Sequence, residues 1–218
     1  MNAIHISGQT QVNTMTKVTP ANTEQHKYAA IQITAEPAAL GLIGLAVAAF
    51  SLAGADLGMT SSLSKSLMIP WILFFGATAQ IIAGLMEFKR NNIFGATVFS
   101  TYSMTMYAIV ATLFITIFTD ISIAIQHYGF ALIAILVFSL IATIASLMLN
   151  KTLFAILIAV DLAVIALIPH YLFEFPTTIA GIFLLITSIL SFYAAAAILL
   201  NTMSGKSILP LGTPLWKT

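Results

Sequence analysis

The stretch at residues 152–173, TLFAILIAVDLAVIALIPHYLF, decides the fold. At a rise of about 1.5 Å per residue it forms a helix of roughly 33 Å, long enough to cross the ~30 Å hydrocarbon core of a bilayer. Its apolar residues cover every face of that helix, whereas a surface helix of a soluble domain keeps one polar side. Asp161 is its one carboxylate. Comparable runs lie to either side, at about 39–58, 67–88, 94–118, 128–149 and 178–200, and short connections join them. The expected fold is therefore an all-α membrane protein with six transmembrane helices.

Composition agrees with that reading. Hydrophobic residues make up 60% of the 218 and charged residues 7%, against roughly 25% charge in a soluble domain. So few charges cannot cover a water-exposed surface, and the lipid bilayer is the expected surroundings. The net charge of +1, without any run of like charges, gives no footing for nucleic acid. Cysteine is absent, which removes disulfides and thiolate chemistry. Pro70 near the start of the second run and Pro169 near the end of the fifth sit where a helix tolerates proline.

Three segments follow. Residues 1–35 are rich in Thr, Asn and Gln, lack an apolar core, and read as a disordered cytoplasmic tail and not a signal peptide, with a short amphipathic turn near 28–33. Residues 36–204 hold the six helices, and 205–218 form a short C-terminal tail. Six spans put both termini on one side. Lys17, Lys27, Lys89, Arg90, Lys151, Lys206 and Lys217 fall on that side and Lys65 alone on the other, so the positive-inside rule places both termini in the cytoplasm. Small residues at Gly41 and Gly44, at Ala77 with Gly84, at Gly95 with Ala96 and at Ala194 to Ala197 let helix backbones approach in lipid. Backbone lining of a pathway is the other use of such residues, with the first span as its best place.

Polar groups in the spans carry the functional signal. An ionisable residue at mid-depth costs roughly 2.5–3.5 kcal/mol on insertion scales. Asp161 is the deepest, and two readings stand for it: a proton-coupling carboxylate, or a neutral acid hydrogen-bonded to a neighbouring helix. Glu87 lies at the end of the second span beside Lys89 and Arg90, as an ion pair or helix-end anchor or as part of a pathway, and Asp56 lies at the outer mouth. Gln80 and the hydroxyls of Thr97, Thr101 and Thr105, which share a helical face with Tyr102 adjacent, suit a narrow wet path for a small polar solute. No metal constellation emerges: His5 and His26 are in the tail, and His127 and His170 stand alone at the outer surface. Neither a nucleophile with its base nor a phosphate-cradling loop is present, so no enzyme and no cofactor is expected.

Four strings go beyond topology. Glu36-Pro37-Ala38-Ala39-Leu40-Gly41-Leu42 resembles N-P-A-P-L-G-L, differing at two positions. Residues 79–95, AQIIAGLMEFKRNNIFG, resemble A-Q-x-x-A-G-x-x-E-[YF]-[KR]-x-x-N-T-F-G, with Ile93 the departure. Phe99 to Ser103 is similar to F-T-S-Y-G, and residues 205–212, GKSILPLG, to G-R-T-V-L-P-I-G. These strings mark the acetate uptake transporter family, which includes bacterial succinate/acetate permeases and yeast acetate/ammonia-export proteins. The resemblance covers about residues 36 to 213.

It implies a protomer whose six helices surround their own pathway, a homohexamer, and movement of acetate or another small monocarboxylate, and of succinate, as a channel solute or with H+. It also implies a mid-membrane constriction of Leu45, Tyr102 and Val160, an apolar neck of the kind that gates by dewetting. Glu36, Pro37, Leu40 and Gly41 match the entrance motif, and Gln80 and Glu87 the second motif. Two departures concern the solute. Glu36 puts a carboxylate where the family has an amide, to be protonated, paired with Lys89 or Arg90, or the sign of another solute. Asp161 stands where the family generally holds an aliphatic or hydroxyl residue beside the constriction, which makes proton coupling the hypothesis it raises. A channel for urea, short amides or ammonia is the competing reading, and a closed structural or sensory protein the third.

Overall fold

The computed structural model describes residues 35–60, 66–120 and 124–216. The polar segment expected at 1–35 falls outside them except for Ala35. So do its lysines and histidines, the turn expected at 28–33, Lys65 and Lys217.

Each apolar run is a helix: α1 Ala38–Asp56, α2 Met68–Lys89, α3 Ile93–Phe118, α4 Gln126–Ser146, α5 Lys151–Phe173 and α6 Thr178–Ser204. All six are long and apolar enough to cross a membrane. The chain is a multi-pass α-helical membrane protein. Its ends follow local chemistry. The Asn92 side chain accepts from the Gly95 N–H at 3.3 Å to start α3, and Asn150 accepts from the Leu153 N–H at 2.9 Å to start α5. Helix α4 stops three residues short of the expected 149. There Leu147, Met148 and Leu149 each donate to a carbonyl three residues back, which tightens the turn before Asn150 extends. Helix α6 runs four residues past the expected 200, until Gly205 takes a left-handed φ of +65°.

The middle of α2, Ile72–Ala79, is wound as a wide π segment. Thr78 Oγ1 follows that winding, donating to the Leu73 carbonyl five residues back at 2.8 Å. Ser103 Oγ of α3 donates to the Ala77 carbonyl at 2.8 Å. Helix α1 packs closely on this segment: a methyl group at Gly44 would stand 2.5 Å from the Phe75 carbonyl oxygen, and one at Gly76 would stand 2.7 Å from Ala48 Cβ. These glycines are required by close backbone approach, as lipid-embedded packing demands.

Around the bundle, α1 lies between α2 and α6, α5 between α6 and α4, and α3 against α2; the α3–α4 seam is the lightest of these contacts. The α1–α6 seam is among the most extensive, with buried alanines such as Ala46 on α1 and Ala194 and Ala197 on α6, and it is tied where Ser188 Oγ donates to the Ala46 carbonyl at 2.8 Å. One such bond contributes only about 0.6 kcal/mol in lipid, so small-residue packing dominates there.

The segment after α6 is a strap and not a loose tail. Thr152 donates to the Leu211 carbonyl through N–H at 3.1 Å and Oγ1 at 2.9 Å, and the N–H groups of Leu215 and Trp216 reach the Leu147 carbonyl. Asn201 accepts from the Ile208 and Leu209 N–H groups and donates to the Leu209 carbonyl. The 205–216 segment is thereby fastened across the α4–α5 turn.

Candidate functional site

Residues from all six helices line one cavity of about 220 Å³. Leu45, Tyr102 and Val160 close one end; Asp56, His170 and Thr177 lie toward the other, away from the termini. On the terminus side of Leu45 and Tyr102 there is a second void of about 30 Å³, room for on the order of one or two water molecules. It is lined by Leu42, Gln80, Phe94, Phe99 and Ile156 among others. Leu45 and Tyr102 belong to both walls and Val160 to the wall of the larger space, so the three residues expected at the constriction share one buried cluster beside a wide space and a tight one.

Tyr102 reaches the neck from α3 and is held there from α4. Its ring meets Phe138 edge-on at 5.6 Å, and its hydroxyl is 2.7 Å from Ser139 Oγ. Both contacts cross the light α3–α4 seam. Ser139 Oγ hydrogen-bonds one carboxylate oxygen of Asp161, and Thr143 Oγ1 donates to the other at 2.7 Å. Asp161 is 3% exposed. One residue along α5 turns the direction by about 100°, so Val160 meets the cavity while Asp161 faces α4. Asp161 thus has the hydrogen-bonded setting of its second reading, supplied by two hydroxyls one helical turn apart. Sequence inspection passes over Ser139 and Thr143, since single hydroxyls mid-helix usually satisfy themselves on a carbonyl. Their spacing of four in the otherwise apolar stretch 129–145 of α4 is the available signal.

Other polar candidates distribute differently. Gln80 is fully buried on the small void, with neither end of its amide hydrogen-bonded among the described residues. Thr105 lines the large cavity, its hydroxyl turned back to the Thr101 carbonyl at 3.0 Å. Thr97 is exposed on the outside of the bundle and Thr101 lines neither space, which corrects the expectation of a continuous threonine path. Steps of four residues advance 400° and drift about 40° each, so a stripe through 97, 101 and 105 leaves the lumen toward its start. The luminal face of α3 is instead Tyr102, Thr105, Met106, Ile109, Thr112 and Leu113.

Glu87 is likewise not on the path. It is buried where α2 turns into α3, accepts from Asn92 Nδ2 at 2.9 Å, and packs against Gly95. Since the other end of the Asn92 amide caps α3, Glu87 is the helix-end anchor of its first reading, paired with an amide and not with Lys89 or Arg90. Glu36 does find a cation: its carboxylate is 2.7 Å from Arg90 Nη1. Arg90 also donates to the Ala35 carbonyl at 3.4 Å. In the entrance motif, Pro37 and Gly41 are buried, and a methyl group at Gly41 would meet the Phe99 ring at 2.5 Å. Leu40 points outward and is exposed. His170, expected alone at the surface, lines the cavity with Nδ1 2.7 Å from the Phe175 carbonyl and its ring against Tyr171.

A bundle of six membrane-crossing helices enclosing a necked internal space defines a class of protein in which each chain carries its own path. Comparison supplies the family: residues 18–212 match the GPR1/FUN34/yaaH family, and the chain belongs to it. It is 30% identical over 190 residues to the succinate-acetate/proton symporter SatP of Escherichia coli K12, covering 82% of this chain and 95% of that one. An uncharacterized protein of Methanothermobacter thermautotrophicus is 28% identical over 195 residues, 81% of this chain and 91% of the relative. The solved structure of the bacterial acetate channel SatP superposes with a TM-score of 0.76 at 27% identity, over 82% of this chain and 99% of that one. The characterised relatives are transport proteins and not enzymes.

Proposed function

We propose that this protein carries acetate and similar small monocarboxylates, succinate among them, across a cytoplasmic membrane through the path inside each protomer. The observation that supports it most is the neck of Leu45, Tyr102 and Val160 between a 220 Å³ cavity and a 30 Å³ void. Two aliphatic side chains hold back water and hydrated ions by dewetting, while the one hydroxyl at the neck offers a hydrogen bond to a carboxyl group passing it. The names of the bacterial relatives support the same solute class. The Glu36–Arg90 pair neutralises the carboxylate that would otherwise repel an anion at the terminus side.

The termini belong in the cytoplasm on this reading, because Lys89, Arg90, Lys151 and Lys206 all lie on their side of the bundle. Assembly as a ring of six and coupling to H+ are part of the proposal, supported by the family resemblance and by Asp161 behind the neck. The mass of the detergent-solubilised particle tests the first.

A neutral-solute channel is a second reading, and the Gln80 amide favours it. Its free donor and free acceptor suit urea or a short amide as well as a carboxylic acid. Uptake of labelled acetate into proteoliposomes at two pH values, with Tyr102→Ala beside the unaltered protein, separates the two. Saturable or pH-driven acetate flux that changes in the variant supports the carboxylate reading. Urea flux without acetate flux overturns it.

A further inference from the structure

Tyr102 is the one member of the buried chain Tyr102–Ser139–Asp161 that lines the cavities; Ser139 is fully buried and Asp161 nearly so. Each hydroxyl in that chain has one proton to give. When Asp161 is ionised it takes the Ser139 proton as a hydrogen bond, so Ser139 Oγ is left to accept from Tyr102, and Tyr102 spends its own proton on Ser139. What the Tyr102 oxygen then offers the neck is lone pairs. When Asp161 is neutral the direction reverses: Asp161 donates to Ser139, Ser139 to Tyr102, and the Tyr102 proton is free to point at the solute. Thr143 donates to the other carboxylate oxygen in either state.

We propose that Tyr102, Ser139 and Asp161 form a proton relay that takes the proton of a carboxylic acid at the neck, stores it on Asp161, and turns Tyr102 from acceptor to donor as it does so. The proposal rests on the carboxylate reading above. In the forward step the acid O–H of the solute donates to Tyr102 Oη; the solute O–H breaks and a new Tyr102 O–H forms. At the same time the original Tyr102 proton passes to Ser139 Oγ, and the original Ser139 proton passes to Asp161. Three O–H bonds break and three form, and the negative charge moves from Asp161 to the solute. The anion is then held by the donor that appeared in the same step. Running the relay backward returns the proton and releases a neutral acid.

The surroundings of Asp161 leave few other groups to interfere. Tyr102 is the titratable side chain on α3 joined to it through Ser139; the other on α3, Tyr107, is hydrogen-bonded to Thr78 at 3.2 Å. Between Thr178 and Ser204, α6 carries no acid, base or histidine, and its Tyr193 hydroxyl is committed to the Pro210 carbonyl. On α4, His127 and Tyr128 lie at the first turn, at least eleven residues from Ser139. On α5 itself Lys151, His170 and Tyr171 lie nine or ten residues from Asp161, roughly 14–15 Å along the axis. Asp56 ends α1 at the far mouth, and Glu87 is held by Asn92. Among the described residues, Asp161 therefore has hydroxyls, not a cation, as its neighbours.

Thr143 makes the test sharp, because it bonds Asp161 as Ser139 does but stands outside the relay. Acetate and proton movement are measured together in proteoliposomes, with labelled acetate and an internal pH dye, for the unaltered protein, Asp161→Asn, Ser139→Ala, Ser139→Thr and Thr143→Ala. The relay predicts at least a tenfold loss of proton-gradient-driven accumulation in Asp161→Asn and Ser139→Ala, recovery in Ser139→Thr, and less than a threefold change in Thr143→Ala. Equal losses in Ser139→Ala and Thr143→Ala, or full gradient dependence in Asp161→Asn, overturn it. A measurement on the unaltered protein covers the case of variants that do not fold: acetate labelled with carbon-13 at its carboxyl is added to protein in lipid, and infrared difference spectra are recorded. A new protonated-carboxyl band at the unlabelled frequency supports the relay, and its absence when acetate binds overturns it. If the unaltered protein moves no acetate at all, the carboxylate reading itself has failed.

Discussion

The two halves of the bundle, divided at Leu45, Tyr102 and Val160, are built on different principles. Toward the termini the chain is fastened by specific polar contacts: Glu36 to Arg90, Glu87 to the Asn92 cap of α3, Asn150 capping α5, and the 205–216 strap across the α4–α5 turn. The space left inside is about 30 Å³. Toward the far side the inner walls are mostly Leu, Ile, Val, Met and Ala with a few hydroxyls and aromatics and with Asp56 and His170 toward the mouth, and the space is about 220 Å³. The motif strings of the sequence fall in the fastened half or at its border. Those motifs therefore describe how helix ends are tied more than how a solute is held, while the roomy half is walled mostly by apolar side chains, with Thr177 Oγ1 donating to the Asp56 carbonyl at 2.9 Å at its mouth.

The strongest challenge to this division is at its seam. Gly44→Ala puts a methyl group 2.5 Å from the Phe75 carbonyl, a backbone atom that cannot swing away. Overpacking of this kind costs about 1–3 kcal/mol, and a marked fall in the thermal midpoint of the purified protein is expected; an unchanged midpoint would mean the π segment of α2 yields easily. Leu45→Ala should act oppositely, enlarging the neck with modest destabilisation. The expected outcome is several-fold faster flux of longer monocarboxylates relative to acetate in proteoliposomes; unchanged selectivity would move the neck elsewhere.

In the fastened half, Asn92→Ala removes both the α3 cap and the donor to Glu87, so a loss of about 1 kcal/mol or somewhat more in stability is expected with solute preference unchanged. A change of preference instead would return Glu87 to the pathway. The smallest effect belongs to Glu36→Gln. Each side chain of the Glu36–Arg90 pair is 30% exposed, so solvent screening holds its contribution to about 0–1 kcal/mol, and the thermal midpoint should shift slightly and less in high salt.

How far the site could be read beforehand varies by residue. Leu45, Tyr102 and Val160 came from the family resemblance, since nothing in composition marks an ordinary Leu or Val as a constriction. Asp161 was visible as the lone carboxylate in a lipid-crossing run. Ser139 and Thr143 were not, because a hydroxyl on an apolar helix acquires meaning only when a neighbour is packed against it. The 97, 101 and 105 stripe shows the limit of periodicity: its threonines share a face of α3, but helix rotation carries the first of them outside the bundle.

By itself the sequence determined the solvent, the number of crossings and the approximate helix ends, because an unbroken run of about 20 apolar residues has no stable place but lipid, and Asn, Gly and Pro act within one turn of where they stand. Only the tertiary structure decided which faces turn inward. In lipid the apolar residues of a span are equally at home against tails or against another helix, so hydropathy does not distinguish lumen from exterior. That choice depends on small differences in packing and on a few cross-helix hydrogen bonds. It placed Asp161 against α4, Glu87 in the α2–α3 corner, and Tyr102 on the wall of both internal spaces.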